Sequence, residues 1–347
     1  MENKSVVWLD KALKDHSGLT DSVVTIFENL LKSNKVDFLT VSGRTKDKKS
    51  ALEKIDRKGY KNPAEQMTDL TGIRIILYFE SDVERVSTLI NKSFDVDADN
   101  SLDKSKVLSK DQIGYRSVHF VCTLGKTRAK LPEYSSLTGL KFEVQVRTVL
   151  QHAWAELAHD SNYKFSGTLP PEIDRKLYLY AGMLEIADKG FDELSSQIDK
   201  YKESIEERSK SGDYSTSIDS ISLNKFFNSW VENNGIDVSS SPKNINELIV
   251  ELNAFGVTTL EELINIIPPK YADVYKEINY SSNILGIVRD WMLINNWEHF
   301  VDEVPFNWVV DDEAMVTLDK FIKDEQLKGM LNALEALGNL ALEDYEY

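Results

Sequence analysis

The sequence contains little cysteine and no long apolar run. Only one of its 347 residues, Cys122, is a cysteine, and a single cysteine excludes an intramolecular disulfide. No apolar stretch approaches the roughly 18 residues that a membrane-spanning helix requires. The first residues also lack the basic and apolar regions of a secretory signal. These absences predict a soluble, cytoplasmic protein without a membrane partner.

Positive charge is scarce in the second half of the chain. Residues 171–347 carry 15 Lys and Arg against 34 Asp and Glu, a net charge of -19, whereas residues 1–170 carry 26 against 23, a net charge of +3. An acidic segment repels phosphate groups and releases no counterions from them. Phosphate chemistry is therefore expected in the first half. The 41% of hydrophobic residues exclude wholesale disorder.

The first half alternates between helical and strand patterns. Apolar residues at helical spacing predict an amphipathic helix over residues 19–33, capped by Thr20 or Asp21, and further helices over 50–58 and 81–94. Strands are predicted in DFLTVSGRT, TGIRIILYF, GYRSVHFVCTL and GLKFEVQVRT, with a mobile polar loop over residues 97–113. This order predicts an α+β fold in which helices flank a mixed sheet.

The second half is predicted to be helical. A heptad pattern predicts a long helix over residues 172–208, which either packs on its own domain or forms a dimeric coiled coil. We favour packing on its own domain, because Gly182 and Gly190 are unusual in a coiled coil. Ser-rich residues 209–222 are predicted as a linker to a separate, acidic helical domain over 223–347. Within that domain, Thr259 and Glu262 form a predicted capping box after Gly256.

A cluster of cations follows the first predicted strand. Between Arg44 and Lys58, seven of fifteen residues are Lys or Arg. Ser50 and Lys54 are one helical turn apart, so a hydroxyl and an ammonium group can point together from a helix N-terminus. This spacing suits a polyphosphate, although a run of charges is also typical of a solvated helix face.

Two carboxylates and an aromatic ring are further candidates. Asp69 precedes the strand that carries Arg74, and Glu143 lies on the polar face of a later strand, so the pair could hold Mg²⁺ or form salt bridges. Tyr115 stands where the predicted loop becomes a strand. Its ring could stack on a base, or it could simply begin the strand.

In combination, these segments resemble the synthetase domain of the RelA/SpoT alarmone family. The resemblance covers nearly all of residues 19–185, through GRTKDKKSALEK, DLTGIRII, GYRSVHF, EVQVRT and HAWAELAHDSNYK in that order. It implies a nucleotidyltransferase-like mixed sheet in a synthetase domain over residues 1–208. It also implies a GTP pyrophosphokinase of the stringent response, which transfers the β,γ-pyrophosphate of ATP to the 3′-hydroxyl of GDP or GTP.

The resemblance also implies a role for each matching residue. Arg44 and Arg74 would sandwich the adenine of ATP. The ATP phosphates would be held by Lys46, Ser50 and Lys54. Asp69 and Glu143 would bind Mg²⁺, and Glu143 would help to deprotonate the attacking hydroxyl. The acceptor nucleotide would be bound by Tyr115, His119, Gln145, Arg147 and His152.

The acceptor and the role of the second half stay open at this point. His152 stands where many small synthetases have Asn, and this difference falls in the pocket expected for the acceptor base. The alternative is a toxin-type relative that pyrophosphorylates the tRNA 3′ end or an adenosine nucleotide. Residues 223–347 would then restrain it as a fused antitoxin or as a sensor of an invading protein, because an acidic domain can cover a cationic site. A nucleotide sensor without activity is less favoured, because both carboxylates are retained.

Two further expectations follow from the resemblance. The hydrolase domain of long family members has no room before the first predicted helix, and the His159-Asp160 pair belongs to a synthetase motif. Small synthetases are often tetrameric, so oligomerisation is open, although the extension could block that interface.

Overall fold

The chain forms two compact units in a computed structural model that describes residues 2–103, 117–164, 170–278 and 281–342. The units are Met1–Ser196 and Gln197–Tyr347. Their division lies inside a long helix, before the boundary predicted at residue 208. Within the described residues, no helix is both long enough and apolar enough to cross a bilayer.

A mixed sheet forms the centre of the first unit, as the sequence predicted. In the described residues it has six strands, in the order β1-β2-β6-β5-β3 with β4 paired to β5. Only β2 and β6 run parallel to each other. The strands are β1 (Phe38–Thr45), β2 (Thr71–Leu77), β3 (Asp95–Val96), β4 (Leu102–Asp103), β5 (Val118–Thr123) and β6 (Phe142–Thr148).

Helices flank this sheet. They are α1 (Glu2–Ser33), α2 (Lys48–Lys58), α3 (Pro63–Gln66), α4 (Glu80–Ser93), α5 (Gly125–Arg128) and α6 (Val149–Lys164), with a 3-10 helix over Pro132–Leu137. Buried side chains of α1 and α4 pack with those of the strands in one core. The helices predicted over 50–58 and 81–94 are thus confirmed to within two residues.

The first helix is longer than the sequence pattern predicted. It begins at Glu2, and its added turns place Leu9 against Ala51 and Leu70 in a second small core. Thr20 and Asp21 therefore both lie inside the helix, and the predicted cap at either residue was wrong. The hydroxyl of Thr20 donates to the carbonyl of His16 at 2.9 Å. The apolar residues before residue 19 are too sparse to reveal this extension without their packing partners.

Alternation along β6 separates a core face from a polar face. Phe142, Val144 and Val146 are completely buried, as the sequence predicted. Successive strand residues point to opposite sides of a sheet, so Glu143 and Gln145 lie on the other face. The apolar side chains thus hold the sheet against α1 and α4, and they leave the opposite face to polar residues.

The polar segment that follows α4 is partly ordered, although a mobile loop was predicted from residue 97. β4 pairs with β5, and the hydroxyl of Ser101 accepts a hydrogen bond from the Val121 amide at 3.0 Å. Lys141 forms an ion pair with Asp97 at 2.7 Å. Strand pairing distant in sequence therefore orders the first residues of this segment. Residues 104–116 lie outside the described residues.

A 40-residue helix, α7 (Pro171–Lys210), confirms the predicted long helix. Several of its apolar residues are exposed, including Tyr180, Ile186 and Phe191 at 58%, 73% and 56%. The sequence favoured packing of this helix on its own domain, yet this stretch keeps large apolar side chains in solvent. Oligomerisation through α7 stays a prediction.

The second unit is mostly helical, as predicted. Among the described residues, its core joins 31 buried side chains, including Phe227, Trp291 and Phe300. Thr259 and Glu262 form the predicted capping box. The elements are α8 (Ser220–Asn234), α9 (Asn246–Ala254), α10 (Leu260–Ile266), α11 (Tyr271–Glu277), α12 (Ile284–Glu303), β7 (Val310–Asp311), α13 (Asp312–Phe321), α14 (Asp324–Leu337) and β8 (Leu340–Ala341).

Residues 209–222, which the sequence predicts as a linker, are partly packed. Thr216 and Ile218 are buried, and Ser217 forms a β-bridge with Thr259. Asp219 caps α8 through its carboxylate. The Ser-rich composition of this segment therefore reflects turns and a helix cap, in addition to its position between two longer elements.

A buried carboxyl group in α12 makes the stability of the second unit depend on pH. Burial raises the pKa of Asp290 to about 7, against the opposing effect of a hydrogen bond from Tyr271 at 2.6 Å. The protonated form is favoured in the folded state, so this group stabilises the fold at low pH. That contribution is lost as the pH rises from about 4 to about 7.

We expect Asp290→Asn to flatten this pH dependence, because the amide is neutral and still accepts from Tyr271. Relative to the wild-type chain, the variant should gain a few kcal/mol of unfolding free energy at pH 8, and less at pH 5. Tryptophan fluorescence during urea unfolding reports on this unit, because it contains Trp230, Trp291, Trp297 and Trp308. Equal gains at the two pH values would contradict the assignment.

Candidate active site

Strand register brings distant polar residues together on the face of the sheet opposite the core. Arg44 on β1 pairs with Gly72 on β2, which pairs with Glu143 on β6. Two residues along, Arg74 pairs with Gln145, and Gln145 pairs with His119 on β5. The sheet thus arranges two cations, a carboxylate, an amide and an imidazole in adjacent rows.

A cavity of about 260 Å³ opens over these rows. Gly72 lies between Arg44 and Glu143, and its missing side chain leaves space above the strand. A Cβ atom built there would approach only the Arg44 side chain, at 3.8 Å. The functional side chains that line the cavity are Arg44, Asp69, Arg74, Glu143, Gln145 and Glu156.

A second cavity, of about 520 Å³, lies at the start of α2 and shares Arg44 with the first. Asp47 caps this helix by accepting from the Ser50 amide, which lowers the pKa of the Asp47 carboxyl. The cationic and hydroxyl side chains that line this cavity are Arg44, Lys46, Ser50, Lys54 and Arg57. Cations at a helix N-terminus form a favourable environment for phosphate oxygens.

Two ammonium groups hold the carboxylate of Asp69. Lys46 Nζ and Lys54 Nζ lie 2.6 Å and 2.7 Å from Asp69 Oδ2. Burial would raise the pKa of Asp69, but the hydrogen bonds and charges of the two lysines outweigh it and lower that pKa. The other oxygen, Oδ1, is buried and has no hydrogen-bond partner among the residues that the structure describes. An unpaired buried carboxylate oxygen is a ready ligand for a cation.

Glu143 is fixed through one of its two oxygens. Its Oε1 accepts from His119 Nδ1 at 2.8 Å and from Gln145 Nε2 at 3.2 Å. The hydrogen bond from His119 is the main reason that the pKa of Glu143 is lowered, and burial opposes it. Glu143 is therefore ionised near neutral pH.

The two carboxylates fit Mg²⁺. Both line the same cavity, and Asp69 offers an unpaired oxygen. The described residues contain no group of three or more His, Cys, Asp and Glu side chains that could enclose a metal. Mg²⁺ commonly takes only one or two carboxylates together with water and substrate phosphate oxygens. The pair thus matches this coordination habit.

Glu156 on α6 was missed in the sequence. Its Oε1 lies 3.0 Å from the guanidinium of Arg74 and 3.6 Å from His152 Nδ1. Glu156 is one helical turn after His152, and this spacing in HAWAE is the signal that could have identified it. Burial, and then the charge of Arg74, lower the pKa of His152. His152 is therefore mostly neutral near pH 7.

Of the remaining predicted site residues, one is buried near His152 and another lies outside the described residues. Arg147 is 8% exposed and lies close enough to His152 for its charge to lower that pKa as well. Tyr115 lies outside the described residues, as do the side chains of His159 and Asp160. Burial raises the pKa of Cys122 to about 12, which leaves no reactive thiolate in the sheet.

Comparisons with known proteins give matches to the first part of the chain. A family model, described as a region found in RelA / SpoT proteins, matches residues 43–168. GTP pyrophosphokinase YjbM of Bacillus subtilis is 27% identical over 190 residues, which cover 54% of this chain and 84% of that protein. GTP pyrophosphokinase YwaC of the same organism is 27% identical over 160 residues, which cover 45% of this chain and 73% of that protein.

Solved structures give matches to the same half of the chain. The small alarmone synthetase 1 of Bacillus subtilis aligns with a TM-score of 0.47 at 24% identity, over 55% of this chain and 98% of that one. A structure of that synthetase bound to its product pppGpp aligns with a TM-score of 0.46 at 25% identity, over 55% and 97% of the two chains.

Proposed function

We propose that this chain transfers the β,γ-pyrophosphate of ATP to the 3′-hydroxyl of GDP or GTP, and the match of residues 43–168 to a region found in RelA / SpoT proteins supports this proposal. The observation that carries this proposal is the pair of cavities that share Arg44. One contains two carboxylates, and the other is lined by cations at a helix start. Pyrophosphoryl transfer requires positioning and charge neutralisation more than covalent catalysis, and this arrangement supports both.

ATP would occupy both cavities. Arg44 and Arg74, on neighbouring strands, would stack against the two faces of the adenine, because guanidinium groups stack well on aromatic rings. Lys46, Ser50 and Lys54 would bind the phosphates from the start of α2. The ion pair of Glu156 with Arg74 supports this arrangement, since it orients the guanidinium group before the base arrives.

Asp69 and Glu143 would hold Mg²⁺ together with phosphate oxygens of ATP. The bound ion would neutralise charge that develops on the phosphates during transfer. In the free protein, two ammonium groups occupy Oδ2 of Asp69. Phosphate oxygens offer these ammonium groups other partners, so nucleotide binding would free Asp69 for the ion.

Glu143 would act as the general base. Its ionised carboxylate would take the proton of the 3′-hydroxyl as that oxygen forms a bond to the β-phosphorus of ATP. The bond from the β-phosphorus to the oxygen bridging the α-phosphate would break, and AMP would leave with that electron pair. The acceptor nucleotide would lie beside His119, Gln145, Arg147 and His152, with Tyr115 stacked on its base.

Purified protein incubated with ATP labelled in its γ-phosphate tests this function. GDP, GTP, AMP, ATP alone and deacylated tRNA would serve as parallel acceptors, with nucleotide products separated by thin-layer chromatography and tRNA on a gel. We expect labelled GDP or GTP products that depend on Mg²⁺. Absence of label on both GDP and GTP would contradict the proposal.

A second candidate acceptor is the tRNA 3′ end or an adenosine nucleotide, with residues 223–347 as the restraining domain. The charge contrast between the halves of the chain, +3 and -19, favours it. In this case, label would appear on tRNA or an adenosine nucleotide only after the residues that follow α7 are removed. That result would support a toxin-type enzyme. Circular dichroism would verify that the shortened chain is folded.

Gly72→Val is expected to weaken ATP binding at least tenfold without unfolding the protein. The open space above Gly72 accepts a side chain, and that side chain would fill the cavity between Arg44 and Glu143. Titration with a non-hydrolysable ATP analogue measures the affinity, and a thermal melt monitors the fold. Gly18→Ala is the control, because the space around its Cβ position is empty and it lies on α1. Unchanged affinity in Gly72→Val would exclude ATP from this cavity.

A further inference from the structure

A chain of hydrogen bonds connects a buried hydroxyl to the carboxylate of Glu143. Ser117 Oγ lies 2.7 Å from His119 Nε2, and His119 Nδ1 lies 2.8 Å from Glu143 Oε1. Ser117 is only 2% exposed, and within the described residues its hydroxyl contacts no other polar side chain. A buried hydroxyl costs free energy unless it is paired, so this contact determines its orientation.

The strand register explains the geometry of this chain. Ser117 directly precedes β5 and is two residues from His119, so both side chains lie on the same side of the strand. His119 pairs with Gln145 on β6, and Glu143 is its diagonal neighbour on that strand. The imidazole therefore spans from the start of β5 to the carboxylate over the cavity.

The donors in this chain follow from the chemistry of each group. The ionised carboxylate of Glu143 can only accept, so His119 Nδ1 carries the proton. In a neutral imidazole the other nitrogen then accepts, and Ser117 donates to Nε2. The carboxylate thus selects the tautomer whose N–H points at Glu143, and the hydrogen bond from Ser117 to Nε2 holds the orientation of that ring.

Both contacts to Glu143 use the same oxygen. His119 and Gln145 donate to Oε1, and Oε2 is left for the cavity that Glu143 lines with Asp69. A carboxylate held at one oxygen cannot rotate freely, so its second oxygen is presented in a fixed direction. Misplacement of a reacting group by about 1 Å can cost two orders of magnitude in rate.

We propose that Ser117 is a positioning residue, which acts through His119 to aim Oε2 of Glu143 at the acceptor hydroxyl. The inference rests on the proposed pyrophosphoryl transfer. The orienting role inferred here for His119 differs from the acceptor-binding role that the family resemblance implies for it. Ser117 itself has no part in binding ATP or the acceptor.

Kinetics of Ser117→Ala test this role. We expect kcat to fall about tenfold or more, while KM for ATP and for the acceptor stays within about twofold. Ser117→Thr keeps a hydroxyl and should recover much of the rate. Ser87→Ala is the matched control, because it removes a hydroxyl that donates to the Val83 carbonyl on α4, away from the cavities. Unchanged kcat in Ser117→Ala would overturn the inference.

A double-mutant cycle separates positioning from substrate binding. If Ser117 acts only through His119, the Ser117→Ala change should have no further effect on kcat in a His119→Ala background. Additive losses would overturn the inference. A rise in acceptor KM at constant kcat in Ser117→Ala would also do so, because it would indicate direct contact with the acceptor.

Nitrogen-15 NMR of the histidine rings provides a readout that does not require activity. The chain has five His residues, and a His119→Gln variant assigns the His119 signals. We expect the Nδ1–H tautomer of His119 in both the wild-type protein and Ser117→Ala, and a shift of the Nε2 signal in Ser117→Ala, because that nitrogen loses the hydrogen bond from Ser117. If the wild-type protein transfers no pyrophosphate, the proposed function fails. The Nε2 signal still decides whether Ser117 donates to His119, and an unchanged signal would overturn that part.

Discussion

Glu143→Gln is expected to reduce kcat for pyrophosphoryl transfer by about 10³-fold or more, with ATP affinity changed by less than about threefold. The amide can neither take the proton of the acceptor hydroxyl nor offer Mg²⁺ an anionic oxygen. The side-chain oxygen can still accept from His119 and Gln145, so the local fold should persist. A quenched-flow assay with labelled ATP measures kcat, and calorimetry with a non-hydrolysable analogue measures binding.

Glu133→Gln is the matched control for this change. Glu133 lies exposed in the first turn of the 3-10 helix and lines neither of the two cavities. Its neutralisation alters the net charge by the same amount and should leave kcat unchanged. Activity that survives in Glu143→Gln would show that Glu143 is not the general base.

Removal of both lysines from Asp69 should have the second largest effect. We expect the Lys46→Ala, Lys54→Ala double variant to bind ATP about 100-fold or more weakly, because each ammonium group supplies a charge-assisted hydrogen bond to phosphate. The variant also leaves Asp69 without the partners that lower its pKa against the effect of burial. Asp69 should therefore stay protonated to a higher pH than in the wild-type protein.

Affinity for a fluorescent ATP analogue measures the effect of this double change. The control is the Lys49→Ala, Lys58→Ala double variant, which removes the same amount of charge from exposed positions of α2. This control should bind ATP almost normally. Equal losses in the two variants would indicate a general charge effect. Normal binding in the Lys46 and Lys54 variant would place the phosphates elsewhere.

Local patterns were sufficient to predict most of the elements of the first unit. Alternation in FEVQVRT predicted which face of β6 is buried, and Phe142 and Val144 confirm it. A strand has a period of two, so its own sequence reveals its two faces. The start of α1 was predicted wrongly, because Leu9 becomes a core residue only through its contact with Ala51 and Leu70.

The sequence related neighbouring site residues such as Ser50 and Lys54, but it carried no information about the distances between site residues on different elements. Arg44, Gly72 and Glu143 are adjacent only because β1 and β6 both pair with β2. The ion pairs of Asp69 with two lysines depend on the same pairing and on the position of α2. The ATP, Mg²⁺ and acceptor roles of these residues stay predictions.

Sequence alone therefore determined most elements of the first unit, the polar and apolar faces of β6, the charge contrast between the halves and the resemblance to a family. These properties depend on the order of neighbouring residues, which local periodicity and motifs record directly. Only the tertiary structure decided that Glu156 reaches Arg74 and that Ser117 reaches Glu143 through His119. Such contacts join residues far apart in the chain, and strand register and helix packing bring them within hydrogen-bond distance.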